Sequence, residues 1–386
     1  MPNLKITGVR KNKNAKDSWE VWYMDLEGKR IYETVKAPTK SDAFKIRQQR
    51  IQEVESGSYI KQDKITVNEL FDIFKTEYLI PNVQPVTLDD YITIYNRYTF
   101  KSSMGKNKVQ DIKSRDIFNL YSHIRKTSND KEGTLKIVHS YLRKMFNFAV
   151  DLEYINRNPM AKVSAPKATP EKFVVWTPEQ VEEFLNYSRD KNIWTYFPMA
   201  LTVTTGLRRS EVLGLKWEDI DFTRGVINLT RTVHELPNQS FPIIQHGKTQ
   251  KAMSTIPVPV VALNILKEIQ GMHISVKSEV GNIWNKEGWV FVLAEGSLLK
   301  PNWLTTSFRR NLDKLNLPRP MNVKGFRHLF ATFLLQKNAH PKVVQELMRH
   351  STFKLTMDTY SHVVESIGRE AVSLIDELNI GAKLND

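Results

Sequence analysis

The sequence predicts a multidomain α+β protein: a small β-sheet-plus-helix N-terminal domain, a four-helix block, and a mostly helical block holding a small antiparallel sheet. Three observations predict it. The chain has 386 residues, enough for two or three domains at roughly 100–200 residues each. Period-two alternation is confined to short stretches near the amino end and mid-chain, while helical spacing of apolar residues dominates elsewhere. A stretch rich in Pro and Lys, Asn156 to Lys172, reads as an extended linker between the two helical blocks.

Composition narrows the class. Lys and Arg number 56 against 42 Asp and Glu, a net charge of +14. Such an excess attracts phosphate polymers and speeds their encounter, although a merely soluble basic protein would show it too. At 41% hydrophobic and 10% aromatic, the chain can bury a core and is not a disordered basic tail. It has no cysteine, which excludes disulfide scaffolds, thiolate zinc sites, iron–sulfur clusters and cysteine nucleophiles. No apolar run approaches the roughly 18–20 residues of a membrane span. The basic start lacks the apolar block of a signal peptide. The expectation is a soluble cytoplasmic protein without a membrane partner.

The elements run in order. Trp19, Val21 and Tyr23 alternate with Glu20, Trp22 and Met24, the pattern of a half-buried strand. Glu27-Gly28 provides a turn, and Lys29 to Val35 the returning strand. Ser41 can cap a helix whose Ala43, Phe44, Ile51 and Val54 fall near helical spacing; Ser56-Gly57-Ser58 ends it. Thr66 and Glu69 form a capping box ahead of the stripe Val67, Leu70, Phe71, Phe74. Thr87 opens a second helix of this block, Ser114 a third, and the stripe Leu135, Val138, Leu142, Met145, Phe146, Ala149 marks a fourth. Its basic residues suit either a solvated or a ligand-facing surface. The last block opens at Thr177-Pro-Glu-Gln180, a capping box with Pro at the first helical position. Val226 to Val233 alternates as one strand, Ser254 to Val258 as another, with His246-Gly-Lys-Thr249 between them. Val364, Ile367, Ala371, Leu374, Ile375 and Leu378 predict a terminal amphipathic helix.

Three local patterns could carry chemistry. In Thr205-Gly-Leu-Arg-Arg-Ser-Glu211, a Gly turn precedes a helix that begins with two arginines. Helix N-terminal N–H groups and a guanidinium together suit a phosphate, and Glu211 can brace Arg208 from one turn on. An ordinary surface ion pair would read the same way. In Lys324-Gly-Phe-Arg-His-Leu329, Arg327 and His328 are polar groups at the start of a strongly apolar helix. A buried Arg327 needs a carboxylate or an anionic ligand; His328 reads mainly as a buried, satisfied histidine. The third pattern is Leu347-Met-Arg-His350 with Asp358-Thr-Tyr-Ser-His362 after it. Tyr360 stands there in a polar setting, one of 13 tyrosines.

Together these patterns resemble the tyrosine recombinases of the phage-integrase type. The motifs T-G-L-R-R-S-E, K-T, G-F-R-H, R-H-S and D-T-Y-S-H occur in the required order over about Trp176 to His362. The upstream blocks are similar as well. The resemblance implies an arm-type DNA-binding domain at 1–58, a SAM-like helical core-binding domain at 64–160, and a catalytic domain at 173–386. By position it implies Arg208 and Arg327 as the catalytic arginines, Lys248 as the hairpin lysine, His350 at the later His/Trp position and Tyr360 as the nucleophile. Glu211 and His328 support them. One departure is Lys324, where the family usually has histidine; lysine donates hydrogen bonds but is a poor base near neutral pH.

The resemblance also implies a site-specific recombinase that cuts and rejoins DNA through a 3′-phosphotyrosine, integrating and excising a mobile element in a bacterial host. Its partners would be double-stranded DNA at core and arm attachment sites, a homotetramer on that DNA, and, as optional additions, an excisionase and a host DNA-bending protein. No cofactor or metal is expected, since the cations supply the charge stabilisation. The terminal helix could dock on its own domain or on a neighbour. Two rivals remain: a type IB topoisomerase-like nicking-closing enzyme, and a catalytically inactive DNA-binding regulator. A P-loop is set aside because Pro242 stands where Gly247-Lys248-Thr249 would require glycine.

Overall fold

The computed structural model describes residues 8–12, 17–25, 28–56, 65–128, 131–167, 174–236, 243–246, 254–281, 283–350 and 352. The chain divides into two units, Met1–Pro170 and Glu171–Asp386.

The first unit contains two hydrophobic cores. The smaller lies between a sheet and a helix. Strands β1 (Val9–Lys11), β2 (Ser18–Met24) and β3 (Arg30–Lys36) are antiparallel in sequence order, with Trp19 opposite Val35 and Tyr23 opposite Ile31. Alternation sends Val21 and Tyr23 inward against Ala43 and Val54 of α1 (Lys40–Glu55). The cap of α1 is Thr39, not Ser41: the Thr39 hydroxyl accepts the Asp42 N–H at 3.2 Å. Either residue type suits the position, and the entry of the chain from β3 chose the earlier one.

The larger core belongs to the helical block. Thr66 caps α2 (Val67–Ile73) through the expected reciprocal box, with Thr66 N–H on Glu69 at 2.6 Å. The helix then widens to a π-helical stretch, Phe74–Leu79. Helix α3 (Pro85–Tyr95) begins two residues before Thr87, with Pro85 at its first position. After a short α4 (Ser103–Lys106), α5 (Ser114–Thr127) and α6 (Lys131–Asp151) complete the block. Its core is aromatic: Phe71 stacks on Tyr95 and Tyr91 on Tyr141, each at 3.7 Å between centroids. The expected linker begins later than Asn156. Met160 and Val163 are buried in this core, and the Ser114 hydroxyl donates to the Pro159 carbonyl at 2.9 Å. Two apolar anchors among the prolines outweigh the stretch's extended composition.

In the second unit, Trp176 is fully buried against Phe184 and Phe326 beside α7 (Pro178–Lys191), which Thr177 and Gln180 cap as expected. Helix α8 (Ile193–Thr205) crosses the core. The alternating stretch at Val226 is two strands, not one. Strand β4 (Ile220–Asp221) pairs with β5 (Val226–Leu229), which also pairs with β8 (Ser254–Pro257); β6 (Arg231–His234) pairs with β7 (Ile243–His246). The break falls at Thr230, whose hydroxyl donates to Asp219 at 3.1 Å. Helices α9 (Arg209–Val212), α10 (Val260–Val280), α11 (Pro301–Leu312), α12 (Val323–Gln336) and α13 (Pro341–Leu347) are the remaining helices among the described residues of the unit. Among the described residues no helix is long and apolar enough to cross a membrane.

Candidate active site

Three chain reversals converge in the second unit. The first ends α8 at Gly206, whose φ of +66° favours glycine. A Cβ there would also lie 2.4 Å from the Phe330 ring, so the turn packs directly on α12. Arg208 then stands at the N-cap of α9. Its backbone N–H donates to Glu211 Oε2 at 2.7 Å and its Nη1 to Oε1 at 2.6 Å. The brace expected from their spacing is present.

The second reversal is the start of α12, where the Asn322 side chain accepts the Gly325 N–H at 3.0 Å. Val323, Phe326 and Leu329 enter the main core, and Arg327 is drawn in with them, 5% exposed. Its Nη1 donates to the Gly206 carbonyl at 2.6 Å and its Nη2 to the Met348 carbonyl. Arg327 therefore ties the first reversal to the third, the turn after α13. In that turn the His350 N–H donates to the Gln345 carbonyl at 3.1 Å, and Arg208 Nη2 donates to the Arg349 carbonyl at 3.2 Å.

Charge concentrates on one buried carboxylate. Glu211 Oε2 lies 2.6 Å from Arg349 Nη2 and 3.6 Å from Arg327 Nη1, while Oε1 holds Arg208. Burial pushes the Glu211 carboxyl up, but Arg349, Arg208 and Arg327 override it and hold it below the ordinary carboxylate range. Among the described residues, three guanidiniums gather on one carboxylate. His350 is pushed down to about 4, first by burial and then by Arg327, Arg208, Arg349 and Lys324. Burial likewise takes His328 to about 4, with Lys324, Arg327 and His350 adding to it. Both imidazoles are neutral near pH 7.

Arg208, Glu211, Arg327 and His350 thus come together as one cluster. Lys324, exposed one turn before Arg327, acts electrostatically on His350, and His328 feels the charges of Lys324 and Arg327. Lys248 lies outside the described residues, two positions beyond the end of β7 at His246. Tyr360 and the helix expected at Val364 to Leu378 also lie outside them. Among the described residues no group of three or more His, Asp or Glu is placed to hold a metal ion. One member went unassigned from the sequence, Arg349. Its only signal was adjacency to His350, because its carboxylate partner is 138 residues away.

A cationic cluster of this kind on a helical fold suits an anionic partner. Residues 175–366 match the phage integrase family. Over that segment the chain carries the family's domain, and it is a site-specific tyrosine recombinase. Among curated relatives it is 26% identical to a "Tyrosine recombinase XerC-like" protein of Caldanaerobacter subterraneus subsp. tengcongensis, over 95% of this chain and 98% of that one. It is 23% identical to the ICEBs1 integrase of Bacillus subtilis, covering 92% and 94%. Its fold is similar to the Tn1549 transposon integrase solved with transposon right end DNA, at a TM-score of 0.66 and 21% identity over 81% of this chain and all of that one. A lambda integrase tetramer bound to a Holliday junction aligns over 93% of this chain and 96% of its own, with a TM-score of 0.59 and 18% identity.

Proposed function

We propose that this recombinase cuts and rejoins DNA through a 3′-phosphotyrosine on Tyr360, integrating and excising a mobile element. The observation that carries the reading is the cluster at Glu211, where positive charge exceeds negative beside a neutral His350. A phosphodiester gathers negative charge on its non-bridging oxygens as it is attacked, and fixed guanidinium donors stabilise that charge. Arg208 reaches the surface of the cluster, its side chain 45% exposed. Arg327 supplies charge from beneath, and neutral His350 supplies an N–H donor. Tyr360 Oη bonds to phosphorus as the phosphorus–O5′ bond breaks; the phenol proton passes to water. Lys248 Nζ gives its proton to the leaving 5′-oxygen. The ester retains the bond energy, so a 5′-hydroxyl of a partner strand reverses the step without a nucleotide cofactor.

The substrate is double-stranded DNA at an attachment site, acted on by a homotetramer, with an excisionase and a host DNA-bending protein as auxiliary partners. The integrase and transposon relatives support a mobile-element substrate, and the lambda tetramer on a Holliday junction supports the assembly. We propose the three-domain division 1–58, 64–160 and 173–386 as the corresponding layout, the first domain reading arm sites and the second the core site. The test is a suicide attachment-site duplex that traps the covalent adduct. Wild-type protein should form a DNA–protein adduct, and Tyr360→Phe should form none while binding the site normally. Persistent adducts in the variant would remove Tyr360 from the role.

A further inference from the structure

Arg349 carries two costs that the fold tolerates. Its backbone has φ of +50°, a left-handed conformation that costs a non-glycine residue about 1 kcal/mol or more. The other described non-glycine residues with positive φ are Asp17, Glu153, Asn285 and Asn338. Arg349 alone among them is a cation. Its Nε–H is also buried and has no hydrogen-bond partner among the described residues, a state that costs about 1–3 kcal/mol. A residue held against both costs points to a task.

Its contacts suggest the task. Nη1 donates to the Leu347 carbonyl at 2.9 Å, closing the turn that presents His350. Nη2 takes Glu211 Oε2 at 2.6 Å, closer than Arg327 Nη1 at 3.6 Å to the same oxygen. The Arg349 carbonyl in turn accepts Arg208 Nη2 at 3.2 Å. Without the Arg349 guanidinium, Oε2 would keep the Arg208 backbone N–H at 2.7 Å and Arg327 Nη1 at 3.6 Å. The carboxylate would draw Arg327 away from the Gly206 and Met348 carbonyls.

We propose that Arg349 is a positioning residue for strand cleavage: it saturates Glu211 so that Arg208 and Arg327 stay separate and aimed at the scissile phosphate. It need not touch DNA itself. This rests on the reading that Arg208, Arg327 and His350 form the cleavage site.

The test compares Arg349→Gln, which removes the charge, with Arg349→Lys, which keeps it without the fork. On the suicide duplex, Arg349→Gln should cleave at least tenfold more slowly while site affinity stays within about threefold, a loss of about 1.4 kcal/mol in the transition state. Arg349→Lys should recover part of that rate. A second readout needs no DNA. In protein labelled with carbon-13 at histidine, the His350 titration should move up in Arg349→Gln and stay close to wild type in Arg349→Lys. A merely structural role would lower the melting temperature of both variants and leave that titration alone. Arg349→Gly relieves the backbone conformation. If the Gln variant fails to fold, the Gly variant carries the same rate and titration expectations. Wild-type cleavage by a folded charge-free variant overturns the proposal, as does an unmoved His350 titration. Absence of any adduct with the wild-type protein would instead overturn the cleavage reading, and the titration would still decide the role of Arg349.

Discussion

Two arginine–carboxylate clusters occupy the second unit, and they are built to opposite charge balances. At Arg231 one guanidinium faces two carboxylates: Nη1 donates to Asp219 at 2.5 Å and Nη2 to Glu218 at 2.8 Å. Asp219 is fully engaged, accepting the Lys216 N–H at 2.8 Å and the Thr230 hydroxyl at 3.1 Å. That cluster holds the root of the β6–β7 hairpin to the domain and leaves no positive charge to spare. At Glu211 one carboxylate faces three guanidiniums. Glu218 is 67% exposed to water, so the buried part of the Arg231 cluster is one cation on one carboxylate, Asp219, as the cost of unmatched buried charge requires. At Glu211 the described cations outnumber the carboxylate even among its buried members, Arg327 and Arg349. The contrast is what supports the proposal of an anion site at Glu211.

The contrast can be broken by experiment. Arg231→Met leaves Asp219 buried without its cation and should cost about 3–5 kcal/mol of stability, read as a drop in the urea midpoint. Cleavage per folded molecule should change far less than stability. A selective collapse of cleavage in a fully stable Arg231→Met protein would show that the two clusters do not differ as argued. At the other cluster, Arg208→Lys keeps the charge and loses the planar fork. It should slow cleavage roughly 100-fold, the scale of removing one transition-state donor, with stability and site binding little changed. Near-normal cleavage would contradict the role of Arg208.

The smallest effect is on pH dependence. His350, His328 and His273 are each held down to about 4 in the folded state, all chiefly by burial. The unfolded chain binds protons near the ordinary 6.5 that the folded chain refuses, so stability should fall as pH drops from about 6.5 toward 4. Glu211 works lower in pH. Its folded value is depressed, so its contribution is full above the ordinary carboxylate range and is lost as pH falls through the folded value. Urea midpoints at pH 7 and 5 should differ in this sense, and His350→Gln should shrink the difference. An equal midpoint at both values would remove burial of neutral imidazoles as the cause.

Much of this was legible along the chain. The boxes at Thr66–Glu69 and Thr177–Gln180 and the brace between Arg208 and Glu211 each span three residues, and all three formed. Less legible was whatever depended on competition between neighbours. Thr39 displaced Ser41 as a cap, Met160 and Val163 anchored a proline-rich stretch, and Thr230 divided an alternating run into strands of two sheets.

The sequence by itself determined the helical and extended segments, the order of the motifs and the surplus of positive charge. Those properties arise from side-chain period, capping and composition, which act within a few residues. Only the tertiary structure decided which charges meet. Arg327 reaches the Gly206 carbonyl across 121 residues, and Arg349 reaches Glu211 across 138. Hydrogen bonds and buried ion pairs are decided by ångström distances, and no local pattern encodes a distance between segments so far apart.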